Sequence, residues 1–511
     1  MNTRNAYALR ARRQAAQAQP TAAAAMPARP RDAGGAVDAG RSSDLAPGRH
    51  PLTDRGMNAR LAVCEESVKG RFDAIVPTLK EIAGLSQGED YVVRAQALAR
   101  DRLGFELPAR YLEDAWVAGA DFKSLYADGV FAALDAAGRQ FAEDLARQVE
   151  VVQDTANFFI DCGFHAVDIS PCADGRLKGL LRYILRLPLS SFSRRKAYAG
   201  ALFDVETDVR HWVGTELRRY REGVPTTVDS GTRYLKIAVY HTSSSDPNHE
   251  GCAAHGSNEH KAIQAALERL LQFREAIENA FCCGASTDIL LIGVDTDNDA
   301  IRVHIPDGEG DLSAHRFVDN ARLYQETLNL TENDARLAVY ESIRKASATG
   351  GWGSGHGEPH DGMRRLIANL LINNLSQIDY VNELYGGRYP DLGHAERFIS
   401  VGDGFEEVQV RNLAFYAHLH TVEEGAVDLD VGIKIFSKLN VQHGLPVPVA
   451  IHYRYDARVP GSRERIEAKA RRVKGAIEAR YPQLMAEGML RCHMSVQDLP
   501  TGSPVEEVKT A

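Results

Sequence analysis

The stretch HAVDISPCADGRLKGLLRYILRLP, residues 165–188, decides how the chain is read. Its first half is an apolar run of strand length. Cys172, Asp174 and Arg176 follow at alternate positions in a tight turn, and the second half spaces its apolar residues at a helical period. In an open α/β sheet, reactive side chains gather in the crevice where strands end and helices begin, so these three would face one cleft. A thiolate there can bind metal, and an Arg two residues after an Asp can hold that carboxylate by a bidentate pair. A buried cysteine beside an ordinary salt-bridged turn would produce the same spacing.

Working outward, a length of 511 residues suggests about three domains. Hydrophobic content of 44% and charged content of 25% are ordinary for a soluble globular chain with large cores. Sixty Lys and Arg against 69 Asp and Glu leave a net charge of -9, which argues against general nucleic-acid binding. The seven cysteines are scattered as Cys64, Cys162, Cys172, Cys252, the adjacent Cys282 and Cys283, and Cys492. That is no disulfide framework; metal or catalytic use in a reducing compartment fits better. No apolar run reaches the roughly 18 residues of a membrane helix. With no secretory apolar segment either, the cytoplasm is the default address.

Residues 1–50 are rich in Ala, Arg, Pro and Gly, lack Lys, and carry only Asp32, Asp38 and Asp44 as acids. They are expected to be a disordered basic tail, with too few large apolar residues to offset the entropy of ordering. An Arg-rich, acid-poor start also fits an organelle transit peptide, and the cluster Arg4, Arg10, Arg12 and Arg13 fits a tail that grips an acidic partner. From 51 to 150 the apolar spacing is helical, with Cys64 on an apolar face. From 151 to 394 strands and helices alternate: LKIAVYH at 235–241 and DILLIGVD at 288–295 read as strands, and HKAIQAALERLLQFREAIENAF at 260–281 as an amphipathic helix. The Gly- and His-rich ASATGGWGSGHGEPHDG at 346–362 reads as a loop.

Residues 395–511 read as a worn copy of the preceding α/β unit. Ile169, Ser170, Asp174 and Gly175 recur as Ile399, Ser400, Asp403 and Gly404, but the cysteine does not. KIAVYHTSSSDP is answered by PVAIHYRYDARVP, which puts Tyr453 where His241 stands, and a long charged helix follows at 463–481. The fold class is therefore α/β: a helical N-terminal domain, then two duplicated α/β domains of which the second lacks metal-binding residues.

A zinc centre with one open position needs three protein ligands. Cys172 ends one strand, His241 closes another, and Cys252 precedes a long helix whose amide end favours a thiolate. His249, His255 and His260 surround Cys252, and His249 gives an H-x-x-C spacing, so His249 stands as an alternative to His241. Cys282 and Cys283 read as core residues, because adjacent cysteines rarely share a tetrahedral site.

Cys-x-Asp-x-Arg followed by a His and a Cys resembles the zinc site of β-class carbonic anhydrases. CADGRLKGLL, VYHTSSSDPNHEGCAAHGSN, CCGASTDILLIGVDTD, LLINNLSQIDYVNE and GHAERFISVGDG extend the resemblance to the carboxysomal carbonic anhydrases of α-type carboxysomes, over roughly residues 51–511. The resemblance implies one Zn2+ per chain on Cys172, His241 and Cys252, with Asp174 and Arg176 as a dyad that orients a hydroxide nucleophile toward CO2. It also implies interconversion of CO2 and bicarbonate inside the carboxysome to supply Rubisco, and a homodimer. His394 is the candidate proton carrier, and the tail is expected to contact shell proteins or Rubisco. The long gap from His241 to Cys252 departs from the H-x-x-C of ordinary β-class enzymes. Two other classes compete: a structural zinc protein tethering carboxysome cargo, and a hydrolase with Cys172 as nucleophile.

Overall fold

The computed structural model describes residues 49–85, 88–108, 112, 121–146, 158–187, 193–223, 232–281, 287–348, 357–390, 396–403, 411–417, 422–500 and 503–509. The basic tail up to residue 48, the Cys282–Cys283 pair and His394 lie outside them. Residues 50–511 form one compact unit.

Three helices lead: α1 (Arg55–Leu85), α2 (Tyr91–Arg102) and α3 (Phe122–Ala146). Val68, Phe72, Ile75, Leu79 and Ile82 recur on one face of α1 at spacings of three and four and are buried there. Cys64, on the same helix, is half-buried with its sulfur 3.9 Å from the Tyr183 hydroxyl. This helical layer packs on Phe398, Leu413, Ala414 and Ala450 of the C-terminal sheet.

The first sheet takes strands β1 (Phe164–Pro171), β2 (Ser193–Arg195), β3 (Arg233–Thr242), β4 (Thr287–Asp295), β5 (Ile301–His304) and β6 (Phe317–Asp319) in the order β2-β1-β3-β4-β5-β6. The first four run parallel and the last two antiparallel. Helices α4 (Val205–Arg221), α5 (Glu259–Phe281), α6 (Asn320–Thr327), α7 (Glu332–Ala348) and α8 (Asp361–Tyr385) accompany it. The parallel strands are covered on both faces, so β3 and β4 are almost continuously buried. Most of α8 is buried as well, and Gly362 near its start is required: a Cβ there would stand 2.0 Å from the carbonyl oxygen of Cys162.

The second sheet comprises β7 (Phe398–Gly402), β8 (Ala414–Ala417), β9 (Val447–Tyr455), β10 (Leu490–Asp498) and β11 (Val505–Glu507), with helices α9 (Val422–Leu439) and α10 (Ser462–Arg480). Its order, β8-β7-β9-β10-β11, repeats β2-β1-β3-β4-β5 strand for strand, including the antiparallel last pair. The registers agree too. Ile169 lies opposite Ile237 and Ser170 opposite Ala238, while Ile399 lies opposite Val449 and Ser400 opposite Ala450. Counting along from these pairs puts Tyr453 at the place of His241, as the likeness of the two sequence halves has it, and Gly402 at the place of Cys172. Gly402 has φ +98, and a Cβ there would meet the His452 carbonyl oxygen at 2.2 Å, so the second repeat has no room for a ligand side chain at that point.

Two expectations need correction. The segment after Arg176 is not a helix of any length: a 3-10 turn spans Gly175–Leu177 and a single π-helical turn Leu180–Ile184, separated by Gly179 at φ 89. Leu177, Leu180, Leu181, Ile184, Leu185 and Leu187 are all buried in one core. Their spacing thus reports burial of an irregular segment and not one face of a helix. Likewise, the element that begins beyond Cys252 is a 3-10 turn, Ala253–His255, with α5 starting only at Glu259.

On the opposite face of the first sheet, Lys236 is fully buried, with its ammonium 2.5 Å from Asp208, 3.2 Å from Asp168 and 2.8 Å from the Ser170 hydroxyl. Removing one partner of a buried ion cluster leaves charge behind without its counter-ion, at a cost of about 3–5 kcal/mol. Lys236→Met in the full chain is accordingly expected to lower the denaturant midpoint clearly. An unchanged midpoint would show that the cluster contributes nothing to the fold.

Candidate metal centre

Strand pairing carries the chain into the site. The Cys172 amide donates to the Val239 carbonyl at 2.9 Å and the Ala173 amide to that of Tyr198 at 2.9 Å, so ladder bonds hold the backbone at the sulfur and just beyond it. His241 is the penultimate residue of β3, and Cys252 begins the 3-10 turn that returns toward the same strand ends. All three side chains are buried, and their donor atoms lie within 4.8 Å of one another. Among the described residues this is the one such cluster of His, Cys, Asp and Glu.

The two sulfurs are 3.8 Å apart and belong to free cysteines. Two thiolates at about 2.3 Å from a tetrahedral zinc would stand about 3.8 Å apart. The donor set thus fits a zinc ion in both chemistry and spacing. The two sulfurs are within hydrogen-bonding distance of each other. The hydrogen bond with Cys252 and then burial push Cys172 well above the ordinary thiol range, while the same bond pulls Cys252 down, aided by the amides of Ala254 and His255. Those two amides belong to the short turn and do what the sequence assigned to the long helix.

Asp174 lies beside the donors, its Oδ2 3.5 Å from His241 Nε2. Its carboxylate accepts from Arg176 Nε at 2.9 Å, from Arg176 Nη2 at 2.8 Å and from the Arg176 amide at 2.9 Å, the bidentate pair that the spacing suggests. Arg176 is 4% exposed. Burial opposes its charge, but Asp174 and, further off, Glu250 outweigh burial and hold the guanidinium above its ordinary value.

His249 is half-exposed and engaged with Asp246 at 2.7 Å, outside the cluster. His255 bonds the Gly200 carbonyl at 3.1 Å, and His260 is exposed. His241 is thus the histidine that the fold brings to the two thiols. Four residues around the dyad went unread in the sequence. Glu250 accepts from Arg176 through its carbonyl at 3.0 Å, and Asp299, Arg411 and Asn412 meet at the back of the turn. Glu250 could have been suspected from NHEGC; Arg411 sits 235 residues from Arg176 and gives no local signal.

Comparison with known proteins agrees with this geometry. Three family models match in succession: Carboxysome Shell Carbonic Anhydrase, N-terminal, over residues 50–142, its catalytic domain over 154–394, and its C-terminal part over 395–511. The chain is 59% identical over 465 residues to the carboxysome shell carbonic anhydrase of Halothiobacillus neapolitanus, covering 91% of this chain and 90% of that one. It is 49% identical over 453 residues to that of Prochlorococcus marinus strain MIT 9313 (88% and 86% covered), and 44% identical over 481 residues to that of Hydrogenovibrio crunogenus (93% and 89%). By sequence over nearly its whole length, and with a Cys-His-Cys cluster at its strand ends, the chain belongs to the carboxysome shell carbonic anhydrase family.

Proposed function

We propose that the chain is a zinc carbonic anhydrase that interconverts CO2 and bicarbonate in the carboxysome and supplies CO2 to Rubisco there. Residues 51–150 form its helical domain, 151–394 its catalytic domain and 395–511 a metal-free repeat. The observation that carries the reading is the 3.8 Å spacing of Cys172 and Cys252 beside His241 and a carboxylate locked by arginine. When bound there, zinc supplies Lewis acidity that brings the pKa of a coordinated water down toward about 7.

The chain's own residues do the rest. Cys172, Cys252 and His241 would hold the ion. As a carboxylate with both oxygens accepting from Arg176, Asp174 is a hydrogen-bond acceptor, so it would take the hydrogen of an attacking hydroxide and turn a lone pair toward CO2. Arg176 keeps Asp174, 3.5 Å from His241, from swinging in to join the donors. Leu177, Leu180 and Val239 share one core with the two cysteines, which suits an apolar substrate and strengthens the electrostatics. His394 would carry the proton out. A homodimer and a tail, residues 1–50, that contacts shell proteins or Rubisco complete the proposal. Deleting residues 1–48, short of the buried His50, is expected to abolish compartment targeting and leave exchange intact; retained targeting would remove that role.

Two measurements test the centre. Purified chain should catalyse CO2/bicarbonate exchange with about one zinc per chain, and Cys172→Ser should lose metal and exchange together, as expected when one of three ligands goes. Zinc bound without exchange would favour a structural, cargo-tethering protein instead. Arg176→Ala should keep its zinc while exchange drops by about 100-fold or more; normal turnover in that variant would defeat the role given to the dyad.

A further inference from the structure

We infer that Arg411, with the backbone of Asn412, is the positioning residue for the Asp174–Arg176 turn, so that the metal-free repeat completes the centre of the first. This rests on the carbonic anhydrase reading for its consequence in catalysis, though not for its geometry. Arg411 acts on the centre through the turn. Its Nη1 donates to the carbonyl of Arg176 at 2.8 Å and to Asp299 Oδ1 at 3.2 Å, and its Nη2 donates to the carbonyl of Thr296 at 2.8 Å. The next residue, Asn412, donates its amide to the carbonyl of Gly175 at 2.7 Å. Two consecutive carbonyls of the dyad's turn are thus gripped by two consecutive residues of the second repeat.

The turn needs such a grip. Its internal backbone–backbone bonds are the short-range pair Leu177 to Asp174 at 3.0 Å and Lys178 to Gly175 at 3.1 Å, and a 3-10 turn of three residues is a weak structure alone. Close approach is built in on the other side: a Cβ on Gly175 would stand 2.8 Å from the Ala414 carbonyl oxygen. The clamp is itself braced. The Arg411 side chain is 2% exposed and its guanidinium lies 3.7 Å over the Tyr389 ring, and Asp299 also accepts from Tyr389 at 2.9 Å and Gln377 at 3.0 Å. Asn412 and Asp299 both sit at positive φ, 56° and 61°, a conformation that Asn and Asp adopt more readily than other non-glycine residues. Only a planar fork reaches two carbonyls and a carboxylate while stacking on a ring, so a lysine would not replace this arginine. Asp299 also balances its charge, which would otherwise weigh on Arg176.

The test uses the full chain carrying Arg411→Met. Hydrogen–deuterium exchange is expected to rise in the peptide that contains Leu177 and Lys178 and to stay at the wild-type level in β3. This readout does not depend on activity, and unchanged protection in the turn overturns the proposal whether or not the chain is a carbonic anhydrase. In the zinc-loaded enzyme, kcat should fall by about 10- to 100-fold with KM and zinc content retained. In an Arg176→Ala background the same substitution should cost nothing further, because the dyad it serves is already gone. Equal losses in both backgrounds would mean a purely structural clamp and overturn the positioning role. If Arg411→Met does not fold, Gly175→Ala serves in its place: it pushes the turn off Ala414 and leaves the Arg411 bonds to Asp299 and Thr296 intact, and wild-type exchange at Leu177 and Lys178 in that variant would equally sink the idea.

Discussion

Arg176 is buried with its fork closed on Asp174 at 2.8 and 2.9 Å, and much of the surrounding structure is arranged to make that pairing tolerable. A guanidinium inside a protein is costly unless all its directions are answered. Here Asp174 accepts from Nε and Nη2 and the Glu250 carbonyl from Nη2, while the Glu250 carboxylate stands 3.7 Å from Nη1 as an ion-pair partner and not as a hydrogen-bond acceptor. The result is a carboxylate held by the arginine fork 3.5 Å from the histidine of the cluster and restrained from coming closer.

Duplication gives this arrangement a second support. The two sheets share strand order, polarity and register, so the repeats arrive at the same local geometry and differ in what occupies it. Where the first repeat has Cys172 and His241, the second has Gly402 and Tyr453, and the glycine's close approach to His452 leaves no space for a thiol. With no ligand side chain at the place of Cys172, the second copy offers its own loop residues to its neighbour. Arg411 and Asn412 enter the first repeat between its turn and Asp299, and a single chain brings both halves of that contact together.

The sequence made much of this legible because the informative residues are local. Cys172, Asp174 and Arg176 fall within five positions of one strand end, where the alternation of strand and turn sets their direction. His241 was readable as the last side chain of an apolar strand, and Ile-Ser was enough to align the repeats, whereas Asp403-Gly404 falls one position short of Asp174-Gly175 in that register. Reading failed where the determinants are distant or the periodicity misleads. The leucines at 177–187 repeat at helical intervals, but they are buried on every side, and Gly179 interrupts the segment, so no regular helix forms. His249 kept an H-x-x-C spacing that the folded loop spends on Asp246. Arg411, Asp299 and Glu250 bear on the dyad through folding alone, and His394 falls outside the described residues.

Everything proposed for the chemistry depends on two thiolates and one imidazole holding a metal and leaving one position open. X-ray absorption at the zinc edge of the full-length, zinc-loaded chain reads that coordination shell without recourse to activity. Two sulfur scatterers at about 2.3 Å, one nitrogen at about 2.0 Å and a single additional oxygen are expected. Fewer than two sulfurs, or a second imidazole closing the set, would contradict it.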